Sequence, residues 1–133
     1  WGKCYYSLLY VDDLVKGTIL SAESKTAEGE IFYLSDGRIY SHEQITEAIA
    51  STLGSKPIRL RIPRAIMPLL ASIGQKLGNQ STIINKDKIR ELQYSYWTCD
   101  STKSKKELGF IPNVGIKEGV KWTADWYRIH QWL

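Results

Sequence analysis

The chain has 133 residues, of which 43% are hydrophobic and 24% charged, the make-up of one folded domain rather than of a disordered or low-complexity segment. Its net charge of +4 is spread over Lys56, Arg59, Arg61, Arg64, Lys86, Lys88, Lys103, Lys105 and Lys106, too thinly to track a phosphate backbone, so nucleic acid is not an expected partner. Two cysteines, Cys4 and Cys99, cannot build a disulfide framework and suit a reducing cytoplasm. The longest apolar-rich stretch, Ile62 to Leu77, is interrupted by Pro63, Arg64, Pro68 and Gln75. It falls short of the roughly 20 residues of a membrane span, so no membrane partner is expected.

Strand and helix signals alternate along the chain. Tyr5 to Val11 is rich in β-formers and predicts a strand. Asp12 and Asp13 then sit where the positive end of a helix dipole favours carboxylates, opening a helix to about Ser24. At a helix start, capping accounts for this pair better than acid and base chemistry does. Glu30 to Leu34 reads as the next strand, closed by a turn at Asp36-Gly37. Ser41 with Gln44 three positions on is a capping box, and the helix it opens turns Ile45, Ala48, Ile49 and Leu53 to the core before Gly54 ends it. Pro57 to Ile62 alternates apolar residues with Arg59 and Arg61, as a strand with one wet face does. Pro63 starts a third helix with Ile66, Leu69, Leu70, Ile73 and Leu77 inward, and Asn85 caps another through Tyr94.

The end of the chain is the most structured reading. Asp100 or Ser101 caps a short helix, Gly109 ends it in the left-handed conformation, and Pro112 keeps it from resuming. A last helix starts near Gly115 with Ile116, Val120, Ala124 and Tyr127 on one stripe. Trp122, Trp126 and Ile129 widen its apolar face, which predicts burial of the whole face. His42 and His130 have no cysteine or acid at ligand spacing, so no metal site is expected.

The motifs Asp100, Lys103, Glu107 to Pro112, then Gly119, Thr123, Trp126 and Tyr127 resemble the C-terminal pattern of the extended short-chain dehydrogenase/reductases. These are the NAD(P)-dependent epimerases, dehydratases and related hydroxysteroid-type dehydrogenases. Tyr10-Val11-Asp12-Asp13-Leu14 and Gly29 to Gly37 resemble the preceding strand-to-helix junction and strand of that family, in the same order and spacing. The resemblance implies an α/β fold: a helix-rich C-terminal lobe with a few short strands, normally attached to a doubly wound Rossmann domain. It covers nearly all of residues 1–133, read as a single C-terminal substrate-binding domain.

Two of the family's functional elements do not occur in this sequence. None of the ten glycines falls in a Gly-x-x-Gly-x-x-Gly turn, which backbone amides and a helix N-terminus need in order to approach a pyrophosphate. None of the eight tyrosines has a lysine four positions later, the pair in which lysine lowers the phenol's pKa. Trp1 leads almost directly into the first strand, and the chain is therefore expected to be a fragment of a longer enzyme. On that expectation it carries no catalytic residue and binds no NAD or NADP itself, although the parent would use one of them. Its partners are a small-molecule substrate and the missing N-terminal Rossmann domain, whose absence would leave an apolar surface for a homodimer to cover.

What the resemblance implies about the substrate is divided. Sugar-nucleotide epimerases hold the pyrophosphate with an arginine on the strand before the Val-x-Asp-Leu junction and with an Arg-x-Gly-Asp segment. Here the first position aligns with Tyr6, and the second segment reads Lys88-Ile-Arg90-Glu91. Tyrosine cannot replace a bidentate, permanently charged guanidinium. Lys88 and Arg90 remain candidate phosphate ligands, against a solvated helix face. Tyr94, Tyr96 and Trp97 are candidates for stacking on a substrate, against packing in the core. The expected function is the substrate lobe of a nucleoside-diphosphate-sugar epimerase or dehydratase. The alternatives are the lobe of a hydroxysteroid- or dihydroflavonol-type dehydrogenase acting on an apolar alcohol or ketone, and a stand-alone non-catalytic binding module.

Overall fold

In the computed structural model the described residues are 3–57 and 94–133. The strand expected at Pro57 to Ile62 and the helices expected after Pro63 and Asn85 fall in the stretch between, outside the described residues. Within them the chain forms a small α/β unit, as the sequence predicts.

Strand β1, Tyr5–Ser7, is the middle of a three-stranded sheet. It runs antiparallel to β2, Ile39–Ser41, and parallel to β3, Tyr96–Trp97. The sequence predicts β1 as far as Val11, but helix α1, Val11–Glu23, already starts there. The strand expected at Glu30 to Leu34 forms no ladder among the described residues. Both edges of β1 are taken by β2 and β3, and a strand is defined by a neighbour to bond. The segment is pinned by other means: the Ser104 hydroxyl donates to the Tyr33 carbonyl, and the Asp36 amide donates to the Leu8 carbonyl at 2.8 Å.

Glycine sets one close approach. A Cβ on Gly17, inside α1, would lie 2.7 Å from Leu34 Cδ1 and 3.1 Å from Phe110 Cε2. Bare backbone there lets α1 settle on the 30–35 segment and on Phe110, the most deeply buried aromatic residue, 1% exposed. The opposite stripe of α1 faces outward, with Val11 57%, Leu14 47%, Val15 51% and Ile19 50% exposed.

Helix α2, His42–Leu53, begins with the expected capping box: the Gln44 amide donates to the Ser41 hydroxyl, and the Ser41 amide donates to the Gln44 side chain. Gly54 ends it in the left-handed region at φ 65°. Helix α3, Thr102–Leu108, is capped from Asp100, whose Oδ1 accepts from the Thr102 amide at 2.8 Å. Ser101 is buried instead against Ser35, which donates to it at 3.1 Å. Gly109 closes α3 at φ 65°.

Helix α4, Ile116–Ile129, packs along α2. Gly119 and Ala124 are buried, but the wide apolar face expected to be covered is not. Trp122 is 43%, Trp126 48% and Ile129 77% exposed. Trp122 packs edge-on against Tyr10 at 5.4 Å, and Trp126 packs on its own neighbours, 4.1 Å between ring centres from His130 and 5.7 Å from Trp132.

Asp13 corrects the capping reading. It is fully buried, and its Oδ2 accepts from the backbone amides of Asn113 at 2.8 Å and Val114 at 2.9 Å. It clamps the turn before α4 onto the start of α1. Burial acts to raise its pKa, but those two amides and Lys16 outweigh burial and hold it below the usual carboxylate value.

Candidate substrate-binding site

Three residues singled out in the sequence meet in the sheet. Tyr6 pairs in register with Trp97, so their side chains leave the sheet on one face, and Tyr5 pairs with Tyr96 on the other. The Tyr5 and Tyr96 rings are stacked with centroids 5.4 Å apart. Trp97 lies edge-on to Tyr94 at 6.2 Å, and Tyr6 lies 6.4 Å from the His42 ring. Tyr94, Tyr96 and Trp97 are all exposed while Tyr6 is half-buried. Aromatic rings held by a sheet offer rigid apolar area with a polar edge, suited to covering a ligand. Lys88 and Arg90 lie outside the described residues.

A second feature was not foreseen. A cavity of about 420 Å³ opens beside the sheet, between Leu8 and Leu9 after β1, Ile49 and Leu53 of α2, and Val120 and Thr123 of α4. Several of these residues were read in the sequence as plain core. Their periodicity marks the facing sides of two helices and carries no sign that part of the contact is open. Ile49 at 43% and Leu53 at 40% exposure show that it is, although α2 and α4 pack along each other.

Asp36 also lines this cavity. The Arg38 amide donates to its Oδ1 at 2.9 Å, and the buried Tyr40 hydroxyl donates to Oδ2. Burial, then the bond to Asp36 and its negative charge, push the Tyr40 pKa up, with Arg38 opposing. A phenol held neutral in this way is a fixed donor that orients the carboxylate. In the sequence Asp36 reads only as a turn residue before Gly37.

Among the described residues no group of three histidines, cysteines or carboxylates is placed to hold a metal, and no helix is long and apolar enough to cross a membrane. The arrangement can bind and orient a small molecule.

No family model matches the chain. An uncharacterized protein of Sinorhizobium fredii is 31% identical over 131 residues, covering 94% of this chain and 37% of that protein. A ceramide reductase of Caulobacter vibrioides is 27% identical over 132 residues, covering 96% and 40%. A 3β-hydroxysteroid dehydrogenase/decarboxylase of Arabidopsis thaliana is 25% identical over 139 residues, covering 93% and 31%. The chain thus spans between 31% and 40% of the length of these curated relatives. Two solved structures share the fold. The UDP-glucose 4-epimerase of Thermotoga maritima with UDP-glucose matches at a TM-score of 0.64 and 21% identity, over 96% of this chain and 33% of that one. The UDP-glucose 4-epimerase of Bifidobacterium longum with NAD+ and UDP matches at 0.61 and 17%, over 96% and 31%.

The fold is therefore the α/β lobe that forms the C-terminal portion of such epimerases. The chain's relatives include members of the short-chain dehydrogenase/reductase family, of the epimerase/dehydratase type, to which it is similar over nearly all of its length.

Proposed function

We propose that residues 1–133 are the substrate-binding lobe of an NAD(P)-dependent enzyme of this family, in which another part of the protein carries the nicotinamide and the catalytic groups. The observation that carries the reading is the outward apolar stripe of α1. Val11, Leu14, Val15 and Ile19 recur at helical spacing on α1 and all stand open to solvent, an apolar stripe of the kind soluble domains cover with another element.

In this reading the parent enzyme transfers hydride between the nicotinamide and a substrate carbinol. The residues of this chain do not fit a dinucleotide, because no glycine-rich turn is present to admit a pyrophosphate. The lobe's contribution is to position the substrate and to exclude water. Tyr6 and Trp97 on one sheet face are the first candidates for the contact, with Tyr96, Lys88 and Arg90 as further ones.

Kinetics on the enzyme expressed from its full reading frame test this. Trp97→Ala is expected to raise KM for the substrate about tenfold, equivalent to about 1.4 kcal/mol, with kcat within twofold of the parent. An unchanged KM, or a loss confined to kcat, would refute the assignment.

A further inference from the structure

Helix α4 ends in a turn that folds the chain back toward the cavity between α2 and α4. The Trp132 amide donates to the Tyr127 carbonyl at 2.8 Å and the Gln131 amide to the Arg128 carbonyl at 3.1 Å, the paired bonds of a Schellman ending. The hydrophobic contact that accompanies such an ending is present, with the Trp132 and Tyr127 ring centres 5.7 Å apart. Trp132 also lies edge-on to Trp126 at 5.7 Å. The reversal brings Leu133 into the cavity lining, where it joins Ala124 and Tyr127. The Arg128 guanidinium donates to the Thr52 carbonyl of α2 at 3.2 Å, which anchors the helix itself just before the turn begins.

The turn is weakly fastened. An ending of this kind is normally completed by glycine, because the position needs left-handed backbone. Here it is completed by Gln131 at φ 57°, the one residue other than glycine at positive φ among the described residues. Trp132 and Leu133 both remain largely exposed, so little buried apolar area opposes release. We propose that residues 130–133 are a hinged strap on this cavity: fastened, they narrow its mouth with Leu133, and release of the turn at Gln131 widens it. A strained and shallowly buried fastening keeps the two positions close in free energy, as exchange between them requires. The strap controls access to the cavity, not what is recognised inside it.

Thiol labelling of the protein expressed from its full reading frame tests the strap without a ligand. Ala124 is buried and lines the cavity, so Ala124→Cys puts a small reporter on the wall that Leu133 joins. Val120→Cys, also on the lining, is the reporter if the first variant does not fold, as judged by far-UV circular dichroism. Methyl methanethiosulfonate is the probe, and peptide mass spectrometry reads the reporter apart from every other cysteine. Gln131→Gly relieves the left-handed turn and is expected to slow labelling about fivefold; Trp132→Ala removes both ring contacts and is expected to speed it about fivefold, each a shift of about 1 kcal/mol in the opening equilibrium. Rates that neither substitution changes, or that change in the opposite sense, overturn the strap. An equal acceleration at the native Cys99, whose amide is bonded to Ser7 at the sheet, also overturns it, because Trp132→Ala has then loosened the whole lobe.

Discussion

Replacing Asp13 should separate the value of its charge from the value of its shape. The carboxylate is fully buried and accepts two backbone amides, from Asn113 and Val114. A bond to a charged acceptor contributes about 1.5 to 3 kcal/mol and a neutral one about 0.5 to 1.5 kcal/mol. Asp13→Asn can keep both amides on its carbonyl oxygen, so it is expected to cost about 2 kcal/mol. Asp13→Ala leaves both amides without a partner, at about 1 to 3 kcal/mol each, and is expected to cost about 4 kcal/mol. Lys16→Ala should cost under about 1 kcal/mol, because the ammonium sits 3.3 Å away on a half-exposed side chain. Urea unfolding followed by tryptophan fluorescence measures all three. The pH dependence has a definite sign. The folded pKa of Asp13 lies below its ordinary 3.8, so its contribution is complete above that value and is lost as pH falls through the lower, folded one. The gap between parent and Asp13→Asn should therefore close on acidification below about pH 4. If Asp13→Asn and Asp13→Ala cost the same, or the gap between parent and Asp13→Asn does not narrow as pH falls below about 4, the clamp does not act through its charge.

Two further perturbations address the cap and the open face. Ser41→Ala removes the side-chain half of the α2 capping box and is expected to cost about 1 kcal/mol in the same urea assay; no change would mean that the Gln44 half alone holds the helix start. Val15→Lys puts a charge in the outward stripe of α1, where Val15 is 51% exposed. The purified parent chain should self-associate in light scattering and the variant should not, whereas a monomeric parent would remove the argument that this face needs a cover.

The features legible in the sequence are those decided within one helical turn. The Ser41 and Gln44 box, the left-handed Gly54 and Gly109, the turn at Gly37 and the Asp100 cap each depend on residues two to four positions apart, and each stands where the sequence puts it. Features decided across the chain were not legible. Asp13 reads as a cap because a carboxylate in a first turn is sufficient for one, while its partners lie at Asn113 and Val114. Glu30 to Leu34 has a strand's composition, but composition does not tell whether a neighbouring edge is free. The apolar face of α4 reads as core because periodicity marks what could be buried, not what covers it.

The same long-range clamp bears on the site. The cavity has one wall in Leu8 to Tyr10, just before α1, and another in Val114 to Val120, at the start of α4. Asp13 ties these two walls together through the amides of Asn113 and Val114. Gly119 lets them approach: a Cβ there would lie 3.2 Å from the Tyr10 ring, tighter than ordinary van der Waals contact. The spacing of the walls thus depends on one buried charge, which does not line the cavity, and on one missing side chain at Gly119, which does. A substitution at Asp13 should accordingly loosen the two walls as well as cost stability, and a side chain at Gly119 should push the Tyr10 wall away from α4.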